Sequence, residues 1–370
     1  MNTPKSSDVK NKKILIRVDF NISNFKKDHY RLSCIEETID FLLKSKVKQI
    51  ILISHLGRPK GRELEYSLKK LVPLLEKIYH QKIKFYDKLT DLPEDKIILL
   101  ENIRFWKEED INDLSFAKKL ASLGDVFINE AFSVSHRSST SLCAITKFLP
   151  TFYGFNFVKE IEGIDNIYKN IKQPFVAILG GNKVLDKWPL ALALRKKAKY
   201  IFLGGVMANT YLAGLDGKGI ETGKSLVDRE ALKQFKFPLS FADDFTIPVD
   251  FVVITKDKKI DFVMSMEVGE EDVIVDTGFF SFQNIQTILK DAKTIFWNGP
   301  LGYAEEKPFD KSTKELVKIL TKSKAKIIIG GGETLEFVKP LMNKKNVFVS
   351  SGGGAMLYHL INGTFPCLKK

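Results

Sequence analysis

Two doubly wound, Rossmann-like α/β domains, each built on a parallel sheet and joined by a helical hinge, are what this sequence predicts. Three observations lead there. Short runs of β-branched and large apolar residues recur along the whole chain; they are continuous rather than alternating; and each is followed by a longer stretch with helical character. A strand covered by helices on both faces needs a continuous apolar run, and a parallel crossover needs the intervening helix. With 370 residues the chain is long enough for two such cores.

In the first half the strand runs are Ile14–Asp19 (ILIRVD), Gln49–Ser54 (QIILIS), Ile97–Leu100 (IILL) and Asp125–Asn129 (DVFIN). A helical stretch of mixed charge, Val158 to Lys172, ends before Pro174 and reads as the connector, which predicts domains over 1–157 and 174–355 with a connecting helix over 158–173. The second-half runs are Phe175–Leu179, Tyr200–Leu203, Phe251–Thr255, Thr294–Trp297, Lys326–Ile329 and Val347–Val349.

In open α/β sheets ligands bind outside the carboxyl ends of the strands, and the unusual clusters of this chain fall there. The first-half loops are Asp19-Phe20-Asn21, Ser54–Pro59 (SHLGRP), Glu101–Phe105 (ENIRF) and Asn129–Arg137 (NEAFSVSHR). They supply Arg58, Arg104, Arg137, His55 and His136, and Arg31 opens the helix after the first loop. Guanidinium forks match carboxylate and phosphate oxygens, so arginines converging at strand ends suit a small molecule bearing both groups. The second-half loops are Gly180–Lys187 (GGNKVLDK), Gly204-Gly205, Trp297–Gly302 (WNGPLG), Gly330–Thr334 (GGGET) and Ser351–Gly354 (SGGG). Glycine turns between strand and helix let backbone N–H groups approach a polyphosphate. Neither G-x-x-x-x-G-K-[ST] nor a strand followed by G-x-G-x-x-G occurs, which argues against a Walker-type NTPase and a dinucleotide-binding dehydrogenase. An arginine-lined pocket in one domain and a glycine- and lysine-lined pocket in the other suggest phosphoryl transfer, which needs positioning and charge neutralisation more than a protein nucleophile.

Composition bounds the rest. The 44% hydrophobic and 28% charged residues exclude disorder as the main state, and no apolar run has the length of a membrane span. The opening MNTPKSSDVKNKK has no apolar stretch to serve as a signal peptide, so a cytoplasmic protein is expected. Cys34, Cys143 and Cys367, odd in number and far apart, read as ordinary thiols. The net charge of +13 is scattered in ones and twos, with no basic stripe of the kind nucleic-acid binders show.

Taken together the loops resemble the phosphoglycerate kinase family, in motif order from about Lys13 to Pro366: RVDFN, SHLGRP, LLENIRF, the HR pair, AILGG-x-KV-x-DK, WNGP-x-G, GGGET and VSSGGGA. The resemblance implies a hinge-bending cytoplasmic glycolytic kinase, a phosphotransferase with a carboxyl acceptor. It would move a phosphoryl group between 1,3-bisphosphoglycerate and ADP, giving 3-phosphoglycerate and ATP with Mg2+ as cofactor. It implies that the last segment, 356–370, returns to the N-terminal domain. The partners expected are small molecules only, with no nucleic acid and no membrane, and the protein is expected to be a monomer. The acid-substrate site would comprise Asp19, Asn21, Arg31, His55, Arg58, Arg104, His136 and Arg137. Catalysis would fall to Arg31 and Lys183, beside the transferring phosphoryl group, and to Gly331 and Gly353 in the loops that meet it. The nucleotide would be bound by Gly181, Lys183, Lys187, Gly204, Gly205, Gly278, Asn298, Glu305, Gly330, Gly331, Gly332, Glu333 and Thr334, with Glu333 also the metal ligand. At 333 the family usually has aspartate, and Val206, Glu130, Ser139 and Tyr358 are further departures. Two other classes remain open on the residues alone: a binding protein that has lost turnover, and a nucleic-acid-binding protein.

Overall fold

A computed structural model describes residues 1–22, 30–215 and 220–368. The chain divides into two units, residues 1–162 with 362–370 and residues 163–361.

In the first unit, β1 (Lys13–Arg17), β2 (Gln49–Ile53), β3 (Lys84–Tyr86), β4 (Ile97–Leu100), β5 (Val126–Asn129) and β6 (Thr151–Tyr153) form one parallel sheet in the order β3-β4-β2-β1-β5-β6. The continuous apolar runs are explained by its two covered faces. Ile14 and Ile16 share a core with Ile50, Leu52, Ile97 and Leu99, whereas Leu15 shares another with Ile51, Ile53, Ile98 and Leu100. Helices α1 (Ser6–Val9), α2 (Tyr30–Ser33), α3 (Glu36–Lys44) and α4 (Val72–Tyr79) bury Val9, Leu32, Ile39 and Leu75 in the first core, and α5 (Leu114–Ala121) buries Phe116 and Leu120 in the second. The sequence pattern missed β3 and β6, three-residue edge strands whose residues stay partly exposed and so carry no apolar run.

Helix α6 (Phe155–Tyr168) carries the chain from the first unit into the second, and begins three residues before the expected start at 158. Its cap is remote in sequence. The buried carboxylate of Glu130, after β5, accepts the N–H groups of Asn156 (3.1 Å) and Phe157 (2.8 Å) and the hydroxyl of Thr38. These satisfy orphan donors of the first turn. Burial pushes the Glu130 carboxyl up to about 7 despite those three bonds.

The second unit contains β7 (Phe175–Leu179), β8 (Tyr200–Leu203), β9 (Asp250–Ile254), β10 (Ile260–Met264), β11 (Val273–Thr277), β12 (Thr294–Asn298), β13 (Lys326–Gly330) and β14 (Val347–Val349). Its helices are α7 (Val184–Leu194), α8 (Gly205–Ala213), α9 (Arg229–Gln234), α10 (Phe279–Lys290), α11 (Lys311–Lys322) and α12 (Gly353–Asn362). Five of the strands make a parallel sheet ordered β14-β13-β12-β7-β8. The other three form a separate antiparallel sheet, β10-β9-β11. The run at Phe251–Thr255, expected among parallel strands, is thus the centre of an antiparallel sheet. The link from Thr255 to Lys259 closes on itself, with Thr255 N–H donating to Lys259 O at 2.9 Å and Lys258 at φ 60°, which is too short for a parallel crossover.

In both parallel sheets the order in which strands are added reverses in the middle. The chain leaves β1 toward β2 on one side and returns as β5 on the other; it leaves β7 toward β8 and returns as β12. These are the topological switch points, where an open α/β sheet offers a crevice.

One expectation is corrected here. Cys143 and Cys367 are joined in a disulfide across 224 residues, and only Cys34 is a free thiol. The pair forms because the final segment packs back on the first unit, where Phe365 meets Phe132 and Phe157 edge-on, a closure that cysteine spacing does not reveal.

Candidate functional site

At the first switch point the loop after β1 makes the base of a polar cluster. Asn21 N–H donates to Asp19 Oδ1 (2.9 Å), and Asn21 Oδ1 accepts from Gly57 N–H (2.8 Å), tying the β1 and β2 loops together. Arg31 donates to the Asn21 carbonyl at 2.9 Å and lies 3.6 Å from Asp19 Oδ2. His55 Nδ1 stands 3.8 Å from Asp19 Oδ1, and Ser133 donates to the same carboxylate. Burial alone would raise the Asp19 carboxyl, but His55, Arg31, the Ser133 hydroxyl and the Asn21 N–H more than offset it and hold it at about 2. His55 is held well below its usual value, first by burial, so at neutral pH the cations acting on Asp19 are Arg31 and Arg17.

Arg104, after β4, donates to the Gly57 carbonyl at 2.6 Å. Its pKa is lowered to about 10, by burial and then by the charges of Arg137 and Arg17. A phosphate or carboxylate bound here would relieve the repulsion that Arg104 meets from these two guanidiniums. Arg17 was not singled out from the sequence. It is 2% exposed at the end of β1, donating from Nε to Ser141 Oγ at 2.8 Å, and Ser141 in turn donates from Oγ (2.6 Å) and N–H (2.9 Å) to the buried Glu109. A charged residue closing an apolar strand is the signal that could have found it. Of the remaining expected residues, Arg58 is exposed just beyond Gly57, and His136 and Arg137 are half-buried.

At the second switch point the loops after β7 and β12 interlock: Gly180 N–H donates to Asn298 O (2.9 Å) and Gly181 N–H to Pro300 O (2.8 Å). Gly299 has φ +96°, and a side chain there would meet the Gly180 carbonyl at 2.2 Å. This is a position for glycine alone. Lys187 on α7 is buried and donates to the Gly180 carbonyl. Burial lowers its ammonium to about 8, with Glu333 acting to raise it. Asn298 is 1% exposed, and neither amide atom has a partner among the described residues. It faces Gly331, whose φ of +104° also requires glycine, and Gly331 lies against Gly353: a side chain on Gly353 would start 3.0 Å from Gly331 Cα. The turns after β13 and β14 therefore meet backbone to backbone. Thr334 accepts the Gly299 N–H at 2.9 Å, and Lys183 is exposed at the cap of α7.

A cavity of about 260 Å³ opens here. Of the residues expected to bind nucleotide, Gly181, Gly205, Glu305 and Glu333 line its wall; Lys183, Lys187, Gly204, Gly278, Asn298, Gly330, Gly331, Gly332 and Thr334 do not. Gly278 instead caps α10 against Asp250, whose carboxylate accepts the N–H groups of Phe280 (2.9 Å) and Ser281 (2.7 Å). The wall also holds Asp276, unmarked in the sequence reading, whose carboxyl burial raises to about 6 although Ser312 and Thr277 donate to it.

Comparisons with known proteins point to one family. A family model described as phosphoglycerate kinase matches residues 5–363. Among curated proteins of that name, the one from Leptospira biflexa is 38% identical over 386 residues, covering 98% of this chain and 96% of the relative. The one from Coprothermobacter proteolyticus is 35% identical over 382 residues, with the same coverage. The phosphoglycerate kinase structure from Coxiella burnetii superposes with a TM-score of 0.78 at 30% identity, covering 97% of this chain and 96% of that one. That from Pyrococcus horikoshii superposes with a TM-score of 0.82 at 25% identity, covering 97% and 95%.

Proposed function

This chain belongs to the phosphoglycerate kinase family, and from that premise we propose which of its residues carry the family's reaction, the reversible transfer of a phosphoryl group between 1,3-bisphosphoglycerate and ADP. The observation that carries the assignment is the polar cluster at one switch point, where Arg31 donates to the Asn21 carbonyl beside Asp19 and Arg104 to the Gly57 carbonyl, together with the glycine-lined cavity at the other and Lys187 buried against the Gly180 carbonyl beside it. Arg58, Arg104 and Arg137, with Asp19, Asn21, His55 and His136, take the carboxylate and phosphate of the acid substrate; Arg31 and Lys183 neutralise the transferring group. Gly331 and Gly353 let backbone approach it. In the second unit Lys187 and the Gly330–Gly332 turn serve the nucleotide's phosphates and Glu305 its ribose. Transfer by such a site rests on alignment and charge neutralisation, and hinge closure on both ligands would exclude water. We place the enzyme as a monomer in the cytoplasm, with the family's glycolytic substrates. No helix among the described residues is long and apolar enough to cross a membrane. A coupled assay of ATP formation from 1,3-bisphosphoglycerate and ADP tests the whole reading; absence of turnover with both ligands bound would favour a binding protein instead.

Mg2+ fits the second site. No group of three or more His, Cys, Asp and Glu side chains gathers among the described residues, but this ion is commonly held by one or two carboxylates with phosphate oxygens and waters. The half-buried Glu333 on the cavity wall, close to Lys187, is such a carboxylate and would hold the ion, which would supply neutralising charge to the phosphates. Glu333→Ala is expected to raise the free magnesium needed for half-maximal activity roughly tenfold or more, and Glu333→Asp to leave it near the parent value. An unshifted magnesium curve for the Ala variant would remove Glu333 from the metal site.

The two ligands are expected to separate by unit. Arg104→Ala should weaken 3-phosphoglycerate binding roughly 10- to 100-fold, the loss of a charge-assisted hydrogen bond, and leave ADP binding within about twofold. Glu305→Ala should do the reverse, weakening ADP roughly tenfold. Calorimetric titration of both variants with both ligands checks this, and equal loss of both in either variant would contradict the division.

Lys187 makes ADP binding proton-linked. Its ammonium titrates at about 8 in the folded protein against 10.5 unfolded, so below pH 8 both states are protonated and the cost of the buried charge is fully present. As pH rises from 8 toward 10.5 the unfolded chain holds more protons, and the stability of the free protein rises. A bound diphosphate favours the charged form, so at pH 8 binding should take up to about half a proton. Calorimetry in buffers of different ionisation enthalpy measures that uptake, and Lys187→Met should abolish it.

A further inference from the structure

We propose that Cys143 and Cys367 are a redox-sensitive modification site, at which exchange with a dithiol opens their disulfide and weakens the first unit's hold on its acid substrate. The inference rests on the reading of the first switch point as the acid-substrate site.

The two cysteines come from distant parts of the sequence. Cys143 stands in a strap that is tied down on its own account: its N–H donates to the Ser139 carbonyl (2.8 Å), Thr140 N–H to the Glu109 carbonyl (2.9 Å) and Ala144 N–H to Asn112 Oδ1 (3.0 Å). Cys367 lies beyond α12, in the final segment that packs back on this unit. Both sulfurs sit near the Arg137 carbonyl, that of Cys143 at 3.7 Å and that of Cys367 at 3.8 Å. Both residues are half-buried and so leave surface for a reductant, and in the reducing cytoplasm proposed above a reachable disulfide is exchangeable.

What the final segment supports is the loop after β5. Phe365 is fully buried between Phe132 and Phe157, with ring centres 5.6 and 6.0 Å away. Phe132 opens the turn in which Ser133 donates to Asp19, and Arg137 follows with its N–H on the Val134 carbonyl (3.0 Å). Cys143 and Cys367 pack against Ala131 and Val134 of the same loop. The segment therefore braces the loop that carries Ser133 and Arg137.

Opening the bond takes two displacements. A thiolate of the dithiol attacks one sulfur of the pair, forming a mixed disulfide and expelling the other cysteine as a thiolate; the reductant's second thiolate then attacks its own sulfur in the mixed bond, closing the reductant's disulfide and releasing the second cysteine. Two electrons pass from the dithiol to the pair, and its two protons end on Cys143 and Cys367. Unbonded thiol sulfurs need van der Waals separation, so one segment must move. Because the Cys143 strap is hydrogen-bonded in place, the final segment yields, and Phe365 with it. A braced loop is preorganised, whereas an unbraced one must be ordered again by its ligand, which lowers affinity.

The test uses the full chain, equilibrated with oxidised or with reduced dithiothreitol. A thiol reagent in denaturant should find one thiol, Cys34, in the oxidised chain and all three in the reduced one. Calorimetric titration should show 3-phosphoglycerate bound roughly three- to tenfold more weakly by the reduced chain, about the worth of one hydrogen bond, with ADP unchanged within about twofold. Cys367→Ser should bind 3-phosphoglycerate like the reduced parent and ignore the dithiol, although Cys34 and Cys143 remain. Three thiols in both preparations, equal 3-phosphoglycerate affinity of the two parent forms, or a dithiol response that survives in Cys367→Ser would each overturn the proposal while leaving the substrate site in place. The parent's two forms decide the question even if the variant fails to fold. Failure of both forms to bind 3-phosphoglycerate while ADP still binds would overturn the acid-substrate reading, and the redox effect with it.

Discussion

Replacing Arg31 with alanine is expected to lower kcat by roughly 10²- to 10³-fold, the range for removing one preorganised donor from developing negative charge. Preorganisation is what the structure adds to the family resemblance. The guanidinium is held by the Asn21 carbonyl at 2.9 Å and lies 3.6 Å from Asp19, whose carboxyl, at about 2, stays ionised across the working pH range. Its side chain remains 21% exposed, so part of the fork is still accessible to a ligand. The charge is therefore aimed before substrate arrives and costs little reorganisation during transfer. Because nucleotide is assigned to the other unit, KM for ADP should change less than about threefold, the signature of an interaction made mainly in the transition state. Arg31→Lys keeps the charge but loses the planar fork and should recover only part of the rate. Steady-state kinetics on both variants decides it; an unchanged kcat for Arg31→Ala would remove this residue from the catalytic set.

Glu109→Ala is expected to destabilise the first unit by about 3–5 kcal/mol, the cost of leaving a buried charge without its compensation. Glu109 does not touch Arg17. It reaches it through Ser141, which accepts from Arg17 Nε and donates to Glu109. The Arg17 pKa is lowered by burial, and Glu109 is the largest charge acting in the opposite direction. Removing the carboxylate strips Ser141 of its acceptor and leaves Arg17 facing Arg137, with Asp19 as its remaining counter-charge. Glu109→Gln, which can still accept from Ser141, should cost less. Urea unfolding read by the shift in midpoint at constant slope measures both. A loss below about 1 kcal/mol for the Ala variant would show that Asp19 alone compensates Arg17.

The sequence by itself determined the two doubly wound sheets, because burial on both faces writes a continuous apolar run into each central strand. It also determined which loops carry chemistry, because ligand loops follow strand ends and break the apolar pattern with Arg, His and Gly. On that basis Asp19, Asn21, Arg31, His55 and Arg104 were named together, and the structure brings them into one hydrogen-bonded and charged cluster. Tertiary structure alone decided who partners whom. Period and composition report how buried a residue is, whereas a partner is fixed by how the chain folds back on itself. That is why Phe251–Thr255 looked like a parallel strand and sits in an antiparallel sheet, why two distant cysteines meet when the final segment packs on the first unit, and why Glu130 caps a helix that starts 25 residues later. The same reason separates Arg17 from the residues legible in the sequence: it closes an apolar strand, and only the packing around it shows its charge compensated through Ser141.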